Sequence, residues 1–182
     1  MPRRQLPHQL QATPAEAAGR QGLSHDRLRI KTGTAVFDPQ EQLIGSALQA
    51  VPQPSIENVV DRAHELLGTP YKWGGATQAQ GFDCSGLLVY LFKTEANLQL
   101  PRTTQAMQRS SAATIKRGAL KPGDAVFFKG NGRQQINHVG LYVGEGKFIH
   151  SPRTGKNTRI DSLTNSYWKK SFTFGKRFHA ER

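Results

Sequence analysis

One cysteine stands in a local sequence that suits nucleophilic chemistry. Cys84 is the sole cysteine among the 182 residues, so it forms no intramolecular disulfide and is either a small buried side chain or a reactive thiol. It follows Asp83 and precedes Ser85 and Gly86, which are not typical core residues. A predicted helix begins here, and its free N–H groups and dipole favour a thiolate and can hold an oxyanion. We therefore interpret Cys84 as a nucleophile with a lowered pKa.

Two histidines are the best candidates for the base that such a nucleophile needs. The base must take the thiol proton and later protonate the leaving amine, and histidine suits both roles because its pKa lies near neutrality. Among six histidines, His138 begins the β-rich run HVGLYV and His150 ends the run KFIH. We expect His138 to be the base and His150 to orient it. Two alternatives stay open: two unrelated strand histidines, or a zinc site formed by both with Cys84, although no short-spaced ligand pair is present.

The contact between the two histidines depends on the hairpin that joins their strands. A three-residue loop at positions 144–146 pairs Val143 with Lys147 and Gly140 with His150, which places both imidazoles on one face of the sheet. A two-residue loop places them on opposite faces, because a shift of one residue reverses the side-chain direction. We expect the three-residue loop.

Helices come first along the chain and strands come later. Ser55 can cap a helix whose apolar stripe runs over residues 56–67, and Gly68 is placed to end it. Asp83 can cap a second helix over residues 84–96. Four later runs are typical of strands: DAVFF, HVGLYV, KFIH and FTFGKRF. This order predicts an α+β fold in which N-terminal helices pack on a central antiparallel sheet of about five to six strands.

The first part of the chain is predicted to lie outside the catalytic domain. Residues 1–53 are interpreted as an extension that is partly disordered, because its first 36 residues carry few large apolar side chains. Asp38 can cap a short amphipathic helix over residues 39–50, which the prolines of VPQPS end. The catalytic domain is assigned to residues 54–182. The start carries no apolar run of the signal-peptide type, so we expect another export route or a leader already removed.

Charge and hydropathy exclude several classes of protein. The formal net charge is +12 and the sequence pI is about 10.3, which favours contact with polyanions such as acidic wall polymers. No zinc-finger or recognition-helix spacing is present, so we expect no nucleic-acid partner, and no window is apolar enough for a membrane span. Four basic residues are candidates for binding wall polymers, or else form a solvated sheet face: Lys169, Lys170, Lys176 and Arg177. We expect a monomer.

Six segments resemble in order the motifs of the NlpC-type cell-wall cysteine peptidases: GTPYKWGG, GFDCSG, LPRTT, LKPGDAVFF, NHVGLYVG and FIHSP. The resemblance covers about residues 55–178. The resemblance implies a compact papain-like fold in a bacterial protein of the cell envelope, periplasmic or secreted. It implies hydrolysis of an amide bond in peptidoglycan stem peptides, between D-γ-glutamyl and a diamino acid, through an acyl-enzyme and without metal or organic cofactor. An acyltransferase or a non-catalytic wall-binding protein on the same fold is the alternative.

The resemblance also implies a role for each matched residue of the reaction centre. Cys84 corresponds to the nucleophile, His138 to the base and His150 to the polar residue that orients the base. Tyr71 corresponds to a tyrosine that donates its hydroxyl to the oxyanion, beside the backbone N–H of Cys84.

Four residues are implied to bind the stem peptide: Trp73, Asp83, Ser85 and Arg102. Asp83 either holds a free peptide amine or acts only as the helix cap, and Arg102 either faces the substrate or serves as a structural anchor. Gly74 and Gly75 are expected to permit a close approach of the backbone.

Overall fold

The computed structural model describes residues 53–130 and 134–180 of the chain. The helix predicted over residues 39–50 lies outside the described residues, and the division of the chain after residue 53 stays a prediction. Within the described ranges, no helix has both the length and the apolar composition that crossing a bilayer requires.

Two helices precede the main sheet, as predicted, and each begins at the predicted cap. Helix α1 spans Ile56–Glu65, and the hydroxyl of Ser55 accepts the N–H of Asn58. The chain turns away at Gly68, which has a φ of 87° that favours glycine. Helix α2 spans Cys84–Glu95, and the carboxylate of Asp83 accepts the N–H of Gly86. Two shorter helices follow, α3 at Thr104–Arg109 and α4 at Ser166–Ser171.

The strands form one large antiparallel sheet and one small hairpin. The hairpin pairs β1 (Ala76–Thr77) with β2 (Gly81–Phe82) just before α2. The main sheet has six strands in the order β3-β8-β4-β5-β6-β7, which confirms the predicted α+β class and the strand number. Its strands are β3 (Ala113–Ile115), β4 (Ala125–Phe128), β5 (His138–Gly144), β6 (Lys147–His150), β7 (Arg159–Ser162) and β8 (Phe172–Arg177).

The hairpin between β5 and β6 differs from the predicted one in its loop but not in its register. Tyr142 pairs with Phe148, as expected, but Lys147 pairs with Gly144 and not with Val143. The connection is a two-residue turn, Glu145 and Gly146, both with positive φ, and a bulge at Val143 supplies the extra residue. The predicted three-residue loop was therefore wrong. Because the bulge adds one residue, the side chains of His138 and His150 still point to the same face of the sheet, as the prediction required.

Two apolar clusters flank the sheet. Alternate residues of β4 divide between them, because successive side chains of a strand point to opposite faces: Phe127 belongs to the larger cluster with α1 and α2, and Phe128 to the smaller one. Cys84 packs against the larger cluster, which includes Val139 of β5, whereas Trp168 of α4 packs against the smaller. The start of β5 is therefore the place where the two clusters meet.

Two of the four basic residues proposed as a wall-binding cluster belong to the interior. Lys176 is only 5% exposed, and its ammonium donates to the carbonyls of Ser110 and Ala112. Arg177 forms a two-pronged pair with the buried carboxylate of Asp124. The interpretation of these two residues as surface charges was wrong. Both lie in β8, where Lys176 binds backbone carbonyls and Arg177 pairs with a buried carboxylate. Lys169 and Lys170 of α4 are exposed.

Candidate active site

A close backbone contact holds the start of α2 against the loop that follows Tyr71. A Cβ atom built on Gly86 would lie 2.0 Å from the carbonyl oxygen of Gly75, and one built on Gly75 would lie 2.4 Å from the carbonyl oxygen of Gly81. Only glycine fits at either position. The predicted close approach is thus confirmed for Gly75, whereas Gly74 has open space around it and is required for its φ of 72°.

The carboxylate of Asp83 accepts most of the hydrogen bonds found around Cys84. Its Oδ1 accepts the N–H of Gly86 at 2.6 Å, the Ser85 hydroxyl at 3.2 Å and Arg102 at 3.0 Å. Its Oδ2 accepts the N–H of Gly74 at 3.1 Å and Arg102 at 2.8 Å. Burial raises the pKa of Asp83, but the bonds from Arg102 and Gly86 outweigh it and hold the pKa below its usual value. A carboxylate has about four acceptor sites, so a peptide amine would have to displace a donor here.

Arg102 forms a bridge across the elements around Asp83. Besides its two bonds to that carboxylate, it donates to the hydroxyl of Ser85 at 3.0 Å and to the carbonyl of Gly75 at 3.4 Å. Its side chain is still 41% exposed. The structure therefore supports the anchor interpretation of Arg102 and leaves part of its surface open to solvent.

The thiol of Cys84 is in a less polar environment than its position at a helix start suggested. Burial raises the pKa of Cys84. Hydrogen bonds from the Thr104 hydroxyl and from the backbone of Val139 and Ser85 act in the opposite direction, but burial outweighs them. The Thr104 oxygen lies 3.5 Å from Sγ. The expected lowering of the pKa is thus not what the structure favours, and Cys84 rests as a thiol.

The two histidines touch as expected and continue into a third group. Nε2 of His138 lies 2.7 Å from Nδ1 of His150. Nε2 of His150 lies 2.8 Å from Oδ2 of Asp161, and the same oxygen accepts Nε and Nη2 of Arg159 at 3.0 and 2.8 Å. A backbone hydrogen bond joins Val139 to the thiol of Cys84. His138, where the row of side chains begins, is the residue directly before Val139.

Aromatic side chains enclose the imidazole pair. The indole of Trp168 stacks on His138 with ring centres 5.7 Å apart and meets His150 edge-on at 5.0 Å. Phe128 lies against His138 with ring centres 6.1 Å apart, and Phe148 lies against His150 at 4.9 Å. Burial lowers the pKa of His138 to about 3, with a smaller effect of the same sign from His150. Burial also lowers the pKa of His150, although Asp161 opposes it.

The two histidines are also not placed to share a metal ion. Their facing nitrogens are at hydrogen-bond distance from each other, and no group of three His, Cys, Asp or Glu side chains in residues 53–130 and 134–180 is placed to hold an ion.

The loop between α1 and β1 carries the two remaining predicted residues. Tyr71 is half-buried, and burial, Cys84 and Asp83 raise the pKa of its hydroxyl, so that group lies within electrostatic reach of the nucleophile. Its backbone N–H donates to the carbonyl of Lys156. Trp73 is 84% exposed and lines a shallow cavity of about 420 Å³. The cavity is open to solvent beside the loop that contacts α2.

Four residues of the site were not predicted from the sequence: Thr104, Arg159, Asp161 and Trp168. Thr104 lies within the segment LPRTT, directly after the residue that caps α3, so the motif contained a weak indication of it. Asp161 lies in β7, whose sequence RIDS is too short and polar to be identified as a strand. Its pairing partner in β6 is Phe148. This strand pairing brings Asp161 close to the histidines, and no pattern in the sequence indicates it.

Comparison with known proteins gives relatives whose names are those of hydrolases. Over 135 residues the chain is 42% identical to murein DD-endopeptidase MepH of Escherichia coli, covering 74% of this chain and 50% of that protein. Over 172 residues it is 37% identical to a gamma-DL-glutamyl hydrolase of Bacillus subtilis, covering 85% of this chain and 41% of that protein. The chain thus spans about half or less of the length of these two relatives.

A solved structure and a family model agree with these relatives. The structure of an NlpC/P60 family protein from Bacillus cereus superposes with a TM-score of 0.64 at 29% identity, covering 70% of this chain and 41% of that one. A model of the NlpC/P60 family matches residues 68–177. This match covers more than half of the chain, which therefore belongs to the NlpC/P60 family.

Proposed function

We propose that this protein is a cysteine peptidase of the bacterial cell envelope that hydrolyses an amide bond in peptidoglycan stem peptides. The observation that carries the proposal is the hydrogen-bonded row from Asp161 through His150 to His138. Val139, which follows His138, is hydrogen-bonded through its backbone to the thiol at the start of α2. Such a row orients a base, and a base beside a thiol is the arrangement that nucleophilic acyl transfer requires. The name of one relative, a murein endopeptidase, supports peptidoglycan as the substrate, and the name of the other supports hydrolysis of a glutamyl bond.

The reaction begins with transfer of the Cys84 proton to His138. Nε2 of His138 is occupied by His150, so Nδ1 is the ring nitrogen left to accept the proton. Sγ attacks the carbonyl carbon of the scissile amide and forms a tetrahedral intermediate. The backbone N–H of Cys84 has no carbonyl partner within its own helix because it lies in the first turn. This N–H and the Tyr71 hydroxyl hold the oxyanion.

The intermediate collapses with cleavage of the C–N bond. The imidazolium of His138 donates its proton to the leaving amine, and the acyl group remains on Cys84 as a thioester. Water then attacks the thioester and His138 accepts a proton from it. The C–S bond then breaks and the leaving thiolate takes the proton back from His138. The product is a carboxylic acid that loses its own proton to solvent, and the thiol of Cys84 is regenerated. No step needs a metal or an organic cofactor.

The scissile bond is proposed to join D-γ-glutamyl to a diamino acid. This choice follows the family resemblance. The name of the Bacillus subtilis relative supports only the γ-glutamyl side of the bond, whereas the name of the Escherichia coli relative points to a DD bond. The substrate contacts are proposed to come from the exposed part of Arg102, from Ser85 and from Trp73. Asp83 acts mainly through Arg102, since its acceptor sites are filled.

Mass spectrometry of purified peptidoglycan fragments incubated with the protein tests the proposal. We expect new products that have gained one water across a single amide bond, and their masses identify the bond. Cys84→Ala removes the nucleophile and little volume, so its turnover is expected to fall below about 1% of wild type, in line with the loss of a nucleophile in other hydrolases. Intact fragments with the wild-type protein, or transfer to an added amine in place of water, would contradict hydrolysis.

A further inference from the structure

The bond between the two imidazoles leaves one chemical question open. A neutral imidazole carries one N–H and one bare nitrogen. Nε2 of His138 and Nδ1 of His150 face each other at 2.7 Å, and either ring can be the donor. If His150 donates, the remaining proton of a neutral His138 sits on Nδ1, where it blocks the base. If His138 donates, Nδ1 is bare.

Asp161 removes this ambiguity. An ionised carboxylate only accepts hydrogen bonds, and Oδ2 of Asp161 lies 2.8 Å from Nε2 of His150. Arg159 binds the same oxygen through two nitrogens. Burial raises the pKa of Asp161, but the bonds from His150 and Arg159 outweigh it and keep the carboxyl ionised. Nε2 of His150 must therefore carry the proton.

The proton on His150 decides the state of His138. His150 has no exposed surface, and burial favours its neutral form. With its proton on Nε2, a neutral His150 offers only a lone pair at Nδ1, so Nε2 of His138 must donate to it. A neutral His138 then has a bare Nδ1. A charged His150 would reverse the outcome, because both of its nitrogens would donate.

We propose that Asp161, held by Arg159, is a positioning residue that sets both histidine tautomers and thereby leaves Nδ1 of His138 free as the base. Asp161 acts through His150, to which it is hydrogen-bonded. The inference rests on the proposed function for its consequence in catalysis, but the tautomers themselves can be observed without any substrate.

Long-range ¹⁵N–¹H correlation spectra of the histidine-labelled protein at pH 7 test the tautomers. The expected pattern has the proton on Nε2 of both rings and a bare Nδ1 on His138. A proton on Nδ1 of His138, or a doubly protonated His150, would overturn the proposal. This measurement uses the wild-type chain, so it decides the matter even if a variant of Asp161 fails to fold.

Asp161→Asn tests the consequence, with Asp61→Asn, an exposed carboxylate of α1, as the matched control. An amide can donate as well as accept, so the variant no longer forces one tautomer, and we expect kcat on a peptidoglycan fragment to fall about 10- to 100-fold. KM should stay within about twofold, since Asp161 acts through His150. Asp161→Glu, which restores an acceptor, should recover part of kcat.

The outcomes separate this inference from the proposed function. Asp161→Asn with the kcat and tautomers of wild type overturns the role of Asp161 while leaving hydrolysis intact. The expected tautomers in a wild-type protein that hydrolyses no fragment support the role of Asp161 and overturn the proposed function. Equal losses of kcat in Asp161→Asn and Asp61→Asn would also overturn the inference, because they would show a general effect of charge.

Discussion

Burial has the largest effect on the charge states of Cys84 and of His138. Burial raises the pKa of the thiol and lowers the pKa of the imidazole to about 3. Both effects favour the uncharged forms, because a low-dielectric environment penalises a charge of either sign. At neutral pH the site therefore rests as a thiol beside a neutral imidazole, and the proton moves when the substrate is bound.

The resting thiol predicts how Cys84 reacts with an alkylating agent. The rate of modification by iodoacetamide should be low at pH 7 and should rise only as the pH approaches the raised pKa of the thiol, since the thiolate is the reactive form. The rate is measured by mass spectrometry from pH 5 to 10. Thr104→Val removes a hydrogen bond that lowers the pKa of Cys84, so the rise should move to higher pH. A rate already at its plateau at pH 6 would show an ion pair.

The buried imidazoles predict a loss of stability in mild acid. The pKa of His138 falls from 6.5 in the unfolded chain to about 3 in the folded one. As the pH drops below 6.5, the unfolded chain binds a proton that the folded chain does not, so the free energy of unfolding decreases. Linkage gives a loss of about 2 kcal/mol from His138 alone between pH 7 and pH 5. Denaturant titrations at pH 7, 6 and 5 measure this loss.

Two histidine variants assign the slope. His138→Gln should make the dependence of the free energy of unfolding on pH shallower. Glutamine does not titrate, so the unfolded variant no longer binds the proton that His138 binds on unfolding. His64→Gln, at an exposed position of α1, is the matched control for the loss of a histidine. Equal slopes in the wild type and His138→Gln would mean that His138 is not held neutral by burial.

At the scale of elements, catalysis depends on how the start of α2 is seated. The helix carries Cys84 in its first turn. That turn packs directly against the backbone of Gly75, which is possible because Gly86 has no side chain. Helix α4, which follows β7, places Trp168 over His138. One element thus sets the position of the proposed nucleophile, and another covers one face of the proposed base.

Gly86→Ala is predicted to displace the nucleophile. The added methyl group would lie 2.0 Å from a backbone oxygen, which cannot move as a flexible side chain can. We expect a loss of about 1–3 kcal/mol in the free energy of unfolding and a fall in kcat of at least about tenfold from misplacement of the thiol. Gly118→Ala is the matched control, since a methyl group there meets no atom within 4 Å. Equal activity of the two variants would contradict the seating argument.

At the scale of the whole molecule, the net charge of +12 is distributed differently from the sequence-based expectation. Lys176 and Arg177 are bound within the fold, so they are unsuited to wall binding. A more suitable surface is formed by the exposed side chains of Lys72, Arg153 and Lys156. The backbone of Tyr71 is bonded to that of Lys156, which places this basic loop surface next to the proposed oxyanion tyrosine.

Replacement of the three basic loop-surface residues with Gln should weaken binding to intact sacculi. The physical reason is that stem peptides and acidic wall polymers present many anionic groups to one surface at once. Sedimentation with sacculi at about 0.15 M and about 0.5 M salt measures the effect, since the Debye length is near 8 Å at the lower value and shorter at the higher one. The double change of Lys169 and Lys170 to Gln controls for net charge. A larger loss in that control would place the binding surface on α4.

The local features of the site were predictable because each depends on neighbours in the sequence. Asp83 lies one residue before the helix that it caps. The β-rich runs that contain His138 and His150 are recognisable as strands within a few residues. The register of the β5–β6 hairpin was also correct in its central pair, because burial of one face determines side-chain direction more strongly than the loop does. The loop length was wrong because a bulge leaves no clear trace in the sequence.

The sequence by itself determined the nucleophile helix, the order of helices and strands, and the strands that carry the two histidines, since short-range periodicity and capping encode them. Only the tertiary structure decided what surrounds these residues. Asp161 reaches His150 through the pairing of β6 with β7, and Trp168 reaches His138 from a helix 30 residues further along the chain. Such contacts join elements that no local pattern connects. They also produce the burial that shifts the pKa values of the site, because desolvation depends on every element packed around a group.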